Sequence, residues 1–245
     1  MKTIISLLAV LLLGAQAPAG KYAEIAGLPA LPDYAVEAVN EKMAIDGSLS
    51  EKAWRRAKPI ALLFPWEDQT GAKQRTTVKL LRDAEFLYVA YECEDEDLTA
   101  VFEKRDDPVY KDDCVEIFLK PSEKTDSYIG LEMNARGVLF DYFYPYPGKN
   151  EHGFNLEGVQ LKTTMRGTLN QSGDRDAGWS LELAIPWASL RALAPAAPGR
   201  NEAWRAQINR WDGAEPRRRL SMWCASGMKR PNPHNPERFG TLRFR

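Results

Sequence analysis

The distribution of apolar residues along the chain is typical of a β protein. The clearest segment is 86–93, FLYVAYEC, in which aromatic and β-branched residues form a short run with turn residues on both sides. Similar runs recur along the chain, separated by Gly, Pro, Asp and Ser, as consecutive strands are. The pattern predicts strands at 77–82, 86–93, 115–120, 128–133, 138–143, 158–164, 179–185, 204–211, 220–224 and 241–244.

Helical signals are few. A short helix is predicted at 50–57 with Ser50 as its N-cap, and a second at 187–193, directly after Pro186. Many short strands with short connections are typical of two sheets packed face to face. We therefore predict an all-β fold, an antiparallel β-sandwich of jelly-roll type with one or two short helices.

Polar residues occupy alternate positions in several predicted strands. Because successive side chains of a strand point to opposite faces of its sheet, these residues should share one face while the apolar residues form the core. Such a face is either a solvated outer surface, which is common in antiparallel sheets, or a polar binding surface. The residues concerned are Glu116, Glu132, Glu182, Arg205, Gln207 and Asn209.

Composition and charge are those of an ordinary globular chain. Of its 245 residues, 44% are apolar and 27% are charged, and the formal net charge is −1. This balance gives no indication of binding to nucleic acid or to an anionic membrane. We interpret the basic cluster at 217–219 as a solvated edge. Aromatic residues are abundant, and their rings can stack on the apolar face of a sugar.

The N-terminus has the organisation of a secretory signal peptide. A basic residue precedes an apolar run at 4–13 that is too short to span a bilayer, and small residues lead to a cleavage site. This predicts a signal peptide at 1–19, a linker at 20–35 and a folded domain at 36–245. We expect an exported protein, periplasmic or extracellular, without a membrane anchor after cleavage.

The sequence lacks the common catalytic motifs. It contains no G-x-S-x-G elbow, no glycine-rich phosphate loop and only two histidines, His152 and His234. Carboxylate chemistry stays open, because Glu116 with Glu132 or Glu182 could supply the two acidic groups of a glycosidase. The alternatives are a binding domain without catalysis, a glycoside hydrolase on the same scaffold, and a structural or protein-interaction module.

Acidic residues flank two of the predicted strands. Asp95 and Asp97 follow 86–93, and Asp112 and Asp113 precede 115–120. Carboxylate oxygens from adjoining loops suit Ca²⁺ at extracellular concentrations. These residues are therefore candidate ligands of a structural calcium ion, and solvated loop charge is the alternative.

The chain has three cysteines, Cys93, Cys114 and Cys224, so at least one thiol is unpaired. Cys93 and Cys114 lie in neighbouring predicted strands, and a disulfide between them is one interpretation. The other is that all three are small buried apolar residues. No C-x-x-C pair is present, so nothing indicates a zinc site.

Several short motifs follow one another in a characteristic order. They are IDG at 45–47, AW at 53–54, LYVA at 87–90, DCVEIF at 113–118, GWSLELAIPW at 178–187, WR at 204–205 and FGTL at 239–242. In this order the chain resembles the family 9 carbohydrate-binding modules, which belong to the DOMON-like β-sandwiches. The resemblance implies a sugar-binding sandwich, often specific for glycan chain ends, with calcium holding loops in place. It also implies an oligo- or polysaccharide ligand and a partner glycoside hydrolase.

The resemblance further implies a set of sugar contacts. In the family, two aromatic rings clamp the sugar, and a Glu, an Arg and a Gln bind its hydroxyl groups. Transferred by position, Tyr110 matches one ring, Glu116 the Glu and Gln207 the Gln.

Two positions depart from the family pattern. Glu132 lies where the Arg is expected, and Pro233 lies where the second ring is expected. His234 is a substitute for that ring, and Trp211 and Trp223 are further candidates. The implied sugar site is thus Tyr110, Glu116, Glu132, Gln207, Trp211 and His234.

Haem binding is a further alternative, because related DOMON-like sandwiches bind haem through Met and His ligands. Met133, Met222, Met228 and His234 are the residues that could serve, whereas buried Met more commonly fills gaps in a core. We do not expect haem.

Overall fold

The computed structural model describes residues 27–146, 149–151 and 153–245. The predicted signal peptide at 1–19 and His152 lie outside the described residues. The strands are β1 (Asp33–Ala38), β2 (Ile60–Ala61), β3 (Thr76–Arg82), β4 (Phe86–Cys93), β5 (Cys114–Lys120), β6 (Tyr128–Asn134), β7 (Leu139–Tyr146), β8 (Lys149–Glu151), β9 (Gln160–Arg166), β10 (Gly178–Pro186), β11 (Ala203–Asp212), β12 (Arg219–Met222) and β13 (Gly240–Phe244).

These strands form a front sheet and a back sheet. The front sheet has the order β8-β7-β6-β5-β11-β13, and the back sheet has the order β3-β4-β10-β9. β1 joins them, because it pairs in parallel with both β13 and β3. The other neighbouring strands are antiparallel. The short strands β12 and β2 pair with β11 and β3.

The main core lies between the two sheets. Val89 and Leu183 of the back sheet belong to the same buried cluster as Ile117, Leu131 and Ile208 of the front sheet, and all five side chains are fully buried. Burial of apolar surface from both sheets is the main stabilising contribution in such a layered fold. The prediction of an all-β antiparallel sandwich is therefore confirmed.

The strand predictions are close to the structure. The predicted strand at 86–93 is β4 with the same ends, and the others differ by one to three residues at an end. The structure adds β1, β2 and β8. Strand β1 begins inside the predicted 20–35 linker, so residues 33–35 belong to the folded domain. The reason is the pairing of Asp33 with Thr241 and of Val36 with Phe244 at the far end of the chain.

The helices are shorter than predicted. Helix α1 covers Lys52–Arg56, and its N-cap is Glu51, which makes no side-chain capping bond, so the Ser50 cap was wrong. The second predicted helix is a single 3₁₀ turn at Trp187–Leu190. Further 3₁₀ turns lie at Val109–Lys111 and Pro236–Arg238. Within the described ranges, no helix is long and apolar enough to cross a membrane.

The cysteines are unpaired and buried. Cys93 lies in the main core, whereas Cys114 packs in the aromatic cluster on the outer face of the front sheet. The front sheet therefore separates the Cys114 thiol from Cys93, which belongs to β4 of the back sheet, and the disulfide interpretation was wrong. Burial raises the pKa of Cys93 and of Cys224 to about 12, so both stay protonated and unreactive near neutral pH.

Candidate functional site

An aromatic layer covers the outer face of the front sheet. Alternate residues of β5, β6 and β7 point away from the core, and their rings pack together; Phe118 and Tyr128 stack with their centroids 5.4 Å apart. Gly130 lies under the ring of Tyr142, where a Cβ atom would come within 2.3 Å of the ring carbon Cζ. Glycine at this position lets the tyrosine lie against the sheet.

A pocket of about 370 Å³ opens beside this layer. Its volume is at the small end of the range of about 300–1,000 Å³ that is typical of ligand sites. Strands of the front sheet contribute part of the lining, and loops contribute the remainder. The lining residues are Tyr110, Glu116, Glu132, Phe140, Trp211, Arg218, Pro231, Asn232, Pro233 and His234.

Most of the residues that the sequence predicts to contact a sugar line this pocket. Tyr110, Glu116, Glu132, Trp211 and His234 all line it, although they come from separate strands and loops. Three of them provide aromatic rings, and two provide carboxyl groups. The arrangement can cover a flat apolar ring face and at the same time bond polar substituents at the edge of that ring.

Gln207 is the exception among the predicted contacts. Its side chain is buried, donates from Nε2 to the Cys224 carbonyl at 2.8 Å and accepts from the Cys224 amide at 3.1 Å. The amide group is thus used to hold the segment after β12, and it does not line the pocket. Gln207 thus has a structural role, and the structure does not bring it together with the other predicted sugar contacts.

The two pocket carboxyl groups face each other on neighbouring strands. Glu116 of β5 is directly opposite Glu132 of β6, and both are buried. Glu116 accepts a hydrogen bond from Asn209 Nδ2 at 3.1 Å. Burial raises the pKa of Glu116 to about 7. Burial and the Glu116 charge raise the pKa of Glu132 well above its usual range, because a second negative charge nearby is unfavourable.

Arg218 is a pocket residue that the sequence interpretation missed. Its guanidinium lies 4.3 Å from the centroid of the Trp211 ring, in a cation–π contact. Its Nε and Nη2 have no acceptor among the described residues. The run 217–219 is therefore not a uniform solvated edge: Arg217 is exposed, whereas Arg219 is buried and donates to the Gly71 carbonyl at 2.6 Å.

His234 is held within the aromatic layer. Its ring lies 5.0 Å from Phe118 at 10° and 5.7 Å from Tyr144 at 7°. Its Nδ1 and the Tyr128 hydroxyl are 2.7 Å apart and share a hydrogen bond. Burial lowers the pKa of His234 to about 4, so the ring is neutral near pH 7. The adjacent Pro233 also lines the pocket, so His234 provides an aromatic ring next to the position where the family resemblance expects one.

The methionines considered for haem do not gather at the pocket. Met133 lies in the main core between the sheets, and Met222 packs with Trp66 and Leu220 in a separate cluster. Met228 packs against that second cluster, and none of the three methionines lines the pocket with His234.

Glu182 also lies elsewhere. It is on the back sheet, where Oε1 accepts from Trp54 Nε1 at 2.7 Å and Oε2 accepts from the amides of Asp46 and Gly47 at 3.0 and 2.8 Å. These bonds attach α1 and the preceding loop to β10. Glu182 is therefore a structural residue and cannot pair with Glu116.

An acidic cluster lies at one end of the core. Carboxylate oxygens of Asp95, Asp113 and Asp212 come within 4.8 Å of one another, and all three residues are buried. Arg210 donates to Asp95 Oδ2 at 2.8 Å and also bonds Asp212. Three carboxyl groups around a single guanidinium leave an excess of negative charge, which suits a hard divalent cation. Asp212 was not among the predicted ligands.

The other two predicted metal ligands are not in this cluster. Asp97 is exposed. Asp112 is buried, but its oxygens accept from the amides of Val101 and Phe102, both at 3.1 Å, and from Asn134 Nδ2 at 2.8 Å. Asp112 thus holds the loop after β4 and lies outside the cluster of three carboxylates. The structure therefore brings together Asp95 and Asp113 of the four predicted ligands, but not Asp97 or Asp112.

Comparison with known proteins gives one family. Residues 45–245 match the model of the carbohydrate family 9 binding domain-like family. No curated protein matches the chain. A candidate carbohydrate-binding protein from Bacteroides uniformis has a similar structure, with 19% identity and a TM-score of 0.74 over 88% of this chain and 100% of that one.

Two structures of a Caldicellulosiruptor kristjanssonii family 9 carbohydrate-binding module are also similar, each at 17% identity. The complex with cellotriose aligns over 87% of this chain and 94% of the module, with a TM-score of 0.61. The complex with glucose aligns over 86% and 95%, with a TM-score of 0.59. At these identities the similarity shows a shared fold.

Proposed function

Because the chain belongs to the carbohydrate family 9 binding domain-like family, we propose that it binds an oligo- or polysaccharide in the front-sheet pocket without catalysing a reaction. The family match confirms the resemblance that the sequence motifs indicate. The observation that carries the proposal is the pocket, where aromatic rings and buried polar groups from distant parts of the chain come together. The Caldicellulosiruptor module with cellotriose or glucose bound supports it.

The pocket offers both kinds of contact that a sugar needs. Tyr110, Trp211 and His234 provide ring faces for stacking, and Glu116 and Arg218 provide an acceptor and donors for hydroxyl groups. Each such hydrogen bond contributes about 0.5–1.5 kcal/mol net, because the hydroxyl group gives up bonds to water. We therefore expect a modest affinity, in the micromolar to millimolar range.

The proposed setting is an exported glycan-degrading system. The predicted signal peptide supports export to the periplasm or beyond, and a binding module there would act with a separate glycoside hydrolase. The test is binding of the purified protein to a panel of plant and bacterial oligosaccharides, with released reducing sugar measured in parallel. We expect binding without turnover. Turnover that disappears in Glu116→Gln would instead show a glycoside hydrolase.

We also propose a structural calcium ion at Asp95, Asp113 and Asp212. Their buried oxygens come from the loop after β4, the residue before β5 and the last residue of β11, within 4.8 Å of one another. The cluster stays negative after Arg210 is counted, so the donor set fits the ion. When bound, calcium would balance this charge and hold together the loops after β4, before β5 and after β11.

Calcium should therefore raise the melting temperature above that in EDTA. An ion that binds the folded state adds about 2.7 kcal/mol of stability at a free concentration of 100 times Kd. Differential scanning calorimetry measures the shift, and Asp212→Asn should abolish it. An identical melting temperature in calcium and in EDTA would show that no structural calcium is bound.

A further inference from the structure

The pocket contains more acidic than basic groups. Glu116 and Glu132 are buried opposite each other, and Arg218 is the single cation among the described residues that line the pocket. His234 adds no charge near pH 7, because burial lowers its pKa to about 4. With both carboxyl groups ionised, one negative charge in the pocket would have no counterpart, so the raised pKa of Glu132 favours its protonated form unless a cation enters. A low-dielectric site makes such an imbalance unfavourable.

One carboxylate oxygen in the pocket also lacks a donor. Oε2 of Glu132 is buried and has no hydrogen-bond partner among the described residues, although the Tyr142 hydroxyl lies near enough to this carboxyl group to lower its pKa. A buried polar atom without a partner costs about 1–3 kcal/mol, and more when it is charged. A ligand that donates a hydrogen bond to this oxygen would remove that cost. The residue is therefore a specific acceptor for a donor group on the ligand.

We propose that the pocket selects an amino sugar, a pyranose in which a protonated amine replaces one hydroxyl group, over the corresponding neutral sugar. This inference rests on the proposed carbohydrate binding and adds the class of ligand. An ammonium group donates three hydrogen bonds and carries the positive charge that would allow Glu116 and Glu132 to ionise together. A hydroxyl group donates one hydrogen bond and brings no charge.

Arg218 bears on whether the pocket accepts an acidic sugar. Its Nε and Nη2, free of acceptors among the described residues, suit the hydroxyl oxygens of a sugar. A sugar carboxylate could pair with this guanidinium, but it would then compete with Glu116 and Glu132 for the one cation among the described residues that line the pocket. We therefore expect uronic acids to bind more weakly than neutral sugars.

The test compares sugars that differ only in the charged group. The ¹⁵N-labelled protein is titrated at pH 7 with glucosamine, galactosamine and mannosamine, each paired with its neutral parent sugar, and the Trp211 indole signal is followed by NMR. An amine next to electron-withdrawing carbons resembles an α-amino group, with a pKa of about 7.7–8.0, so it is mostly protonated at this pH. In at least one pair, the amine should bind about ten-fold more tightly.

Two variants should shift this preference in opposite directions. Glu132→Gln removes the carboxyl group that the amine would allow to ionise, so the ratio of amine to neutral affinity should fall towards one. Arg218→Gln removes the competing cation, so the ratio should rise above that of the wild type. Glu123→Gln, an exposed carboxylate away from the pocket, is the matched control and should leave the ratio unchanged. General damage to the pocket would not produce opposite shifts.

The wild-type comparison is decisive even if a variant fails to fold. Neutral sugars that bind as tightly as their amines would overturn the inferred selectivity and leave the proposed carbohydrate binding in place. Failure of every sugar in this set and in the oligosaccharide panel would overturn both. An N-acetylated amine, which is neutral, should show no preference, and a preference for it would also contradict the charge argument.

Discussion

Replacing Arg210 with methionine is expected to lower the free energy of unfolding by about 3–5 kcal/mol, because it removes one partner of a buried ion-pair network. The guanidinium is fully buried and bonds Asp95 and Asp212. It also donates to the Glu94 carbonyl at 2.6 Å and to Thr76 Oγ1 at 3.2 Å. Without it, buried carboxylates lose their cation and β11 loses its bonds to β3 and to the end of β4. Urea titration in EDTA measures the change.

The matched control is Arg243→Met. Arg243 also pairs with an aspartate, Asp33, at 2.7 Å, but its side chain is 45% exposed. Exposed ion pairs contribute about 0–1 kcal/mol, so this variant should unfold close to the wild type. An Arg210→Met protein with the unfolding midpoint of the wild type would show that the network does not stabilise the fold.

Replacing Tyr110 with alanine is expected to weaken glycan binding by about ten-fold or more, equivalent to about 1.4 kcal/mol. The ring is 38% exposed, lies 6.2 Å from Phe140 and lines the pocket, so a bound sugar can cover its open face. Alanine removes that contact area while the strands below stay in place. Isothermal titration calorimetry with the tightest-binding oligosaccharide of the panel measures the loss.

Tyr146→Ala provides the comparison for this variant. Tyr146 is 55% exposed at the end of β7 and does not line the pocket. Its replacement should leave glycan affinity unchanged. Equal affinities for the wild type and Tyr110→Ala would mean that Tyr110 is not one of the clamping rings.

The local sequence pattern predicts most strands well, because each carries its own signal. In β4, aromatic and β-branched residues between turns suffice to place both ends. Strand β1 was missed because its local signal is short: only Tyr34 and Val36 alternate with exposed residues, and its pairing with β13, about 200 residues away, cannot be read from neighbouring positions. Strand β2 has only two residues, too few for alternation to be visible.

In the site, too, some residues can be placed from the local sequence pattern, whereas others depend on long-range contacts. Alternation in β5 and β6 places Glu116 and Glu132 on one face, which the sequence predicted. The run at 217–219 could not be resolved in that way, because three identical residues have three different environments. Arg218 reaches Trp211, Arg219 bonds the loop at Gly71, and Arg217 is exposed. Only the path of the chain before β12 decides which arginine faces the pocket.

For the same reason, the contacts of two other residues could not be predicted from the sequence. Gln207 lies on the predicted outer face of β11, but the segment after β12 crosses there and uses both ends of its amide. Asp112 was predicted with its neighbour Asp113, yet adjacent side chains point in different directions, and only Asp113 reaches Asp95 and Asp212. Which polar side chains form structural hydrogen bonds depends on long-range contacts. The spacing of residues in the sequence does not reveal these contacts.

The most direct measurement is an NMR titration of the ¹⁵N-labelled protein with the oligosaccharide that binds most tightly in the panel. If the front-sheet pocket is the glycan site, the Trp211 indole and the amides around Tyr110 and Glu116 should shift in a saturable way. The signals of the back sheet around Glu182 should stay unchanged. Shifts confined to the back sheet, or none at any sugar concentration, would contradict the proposed site.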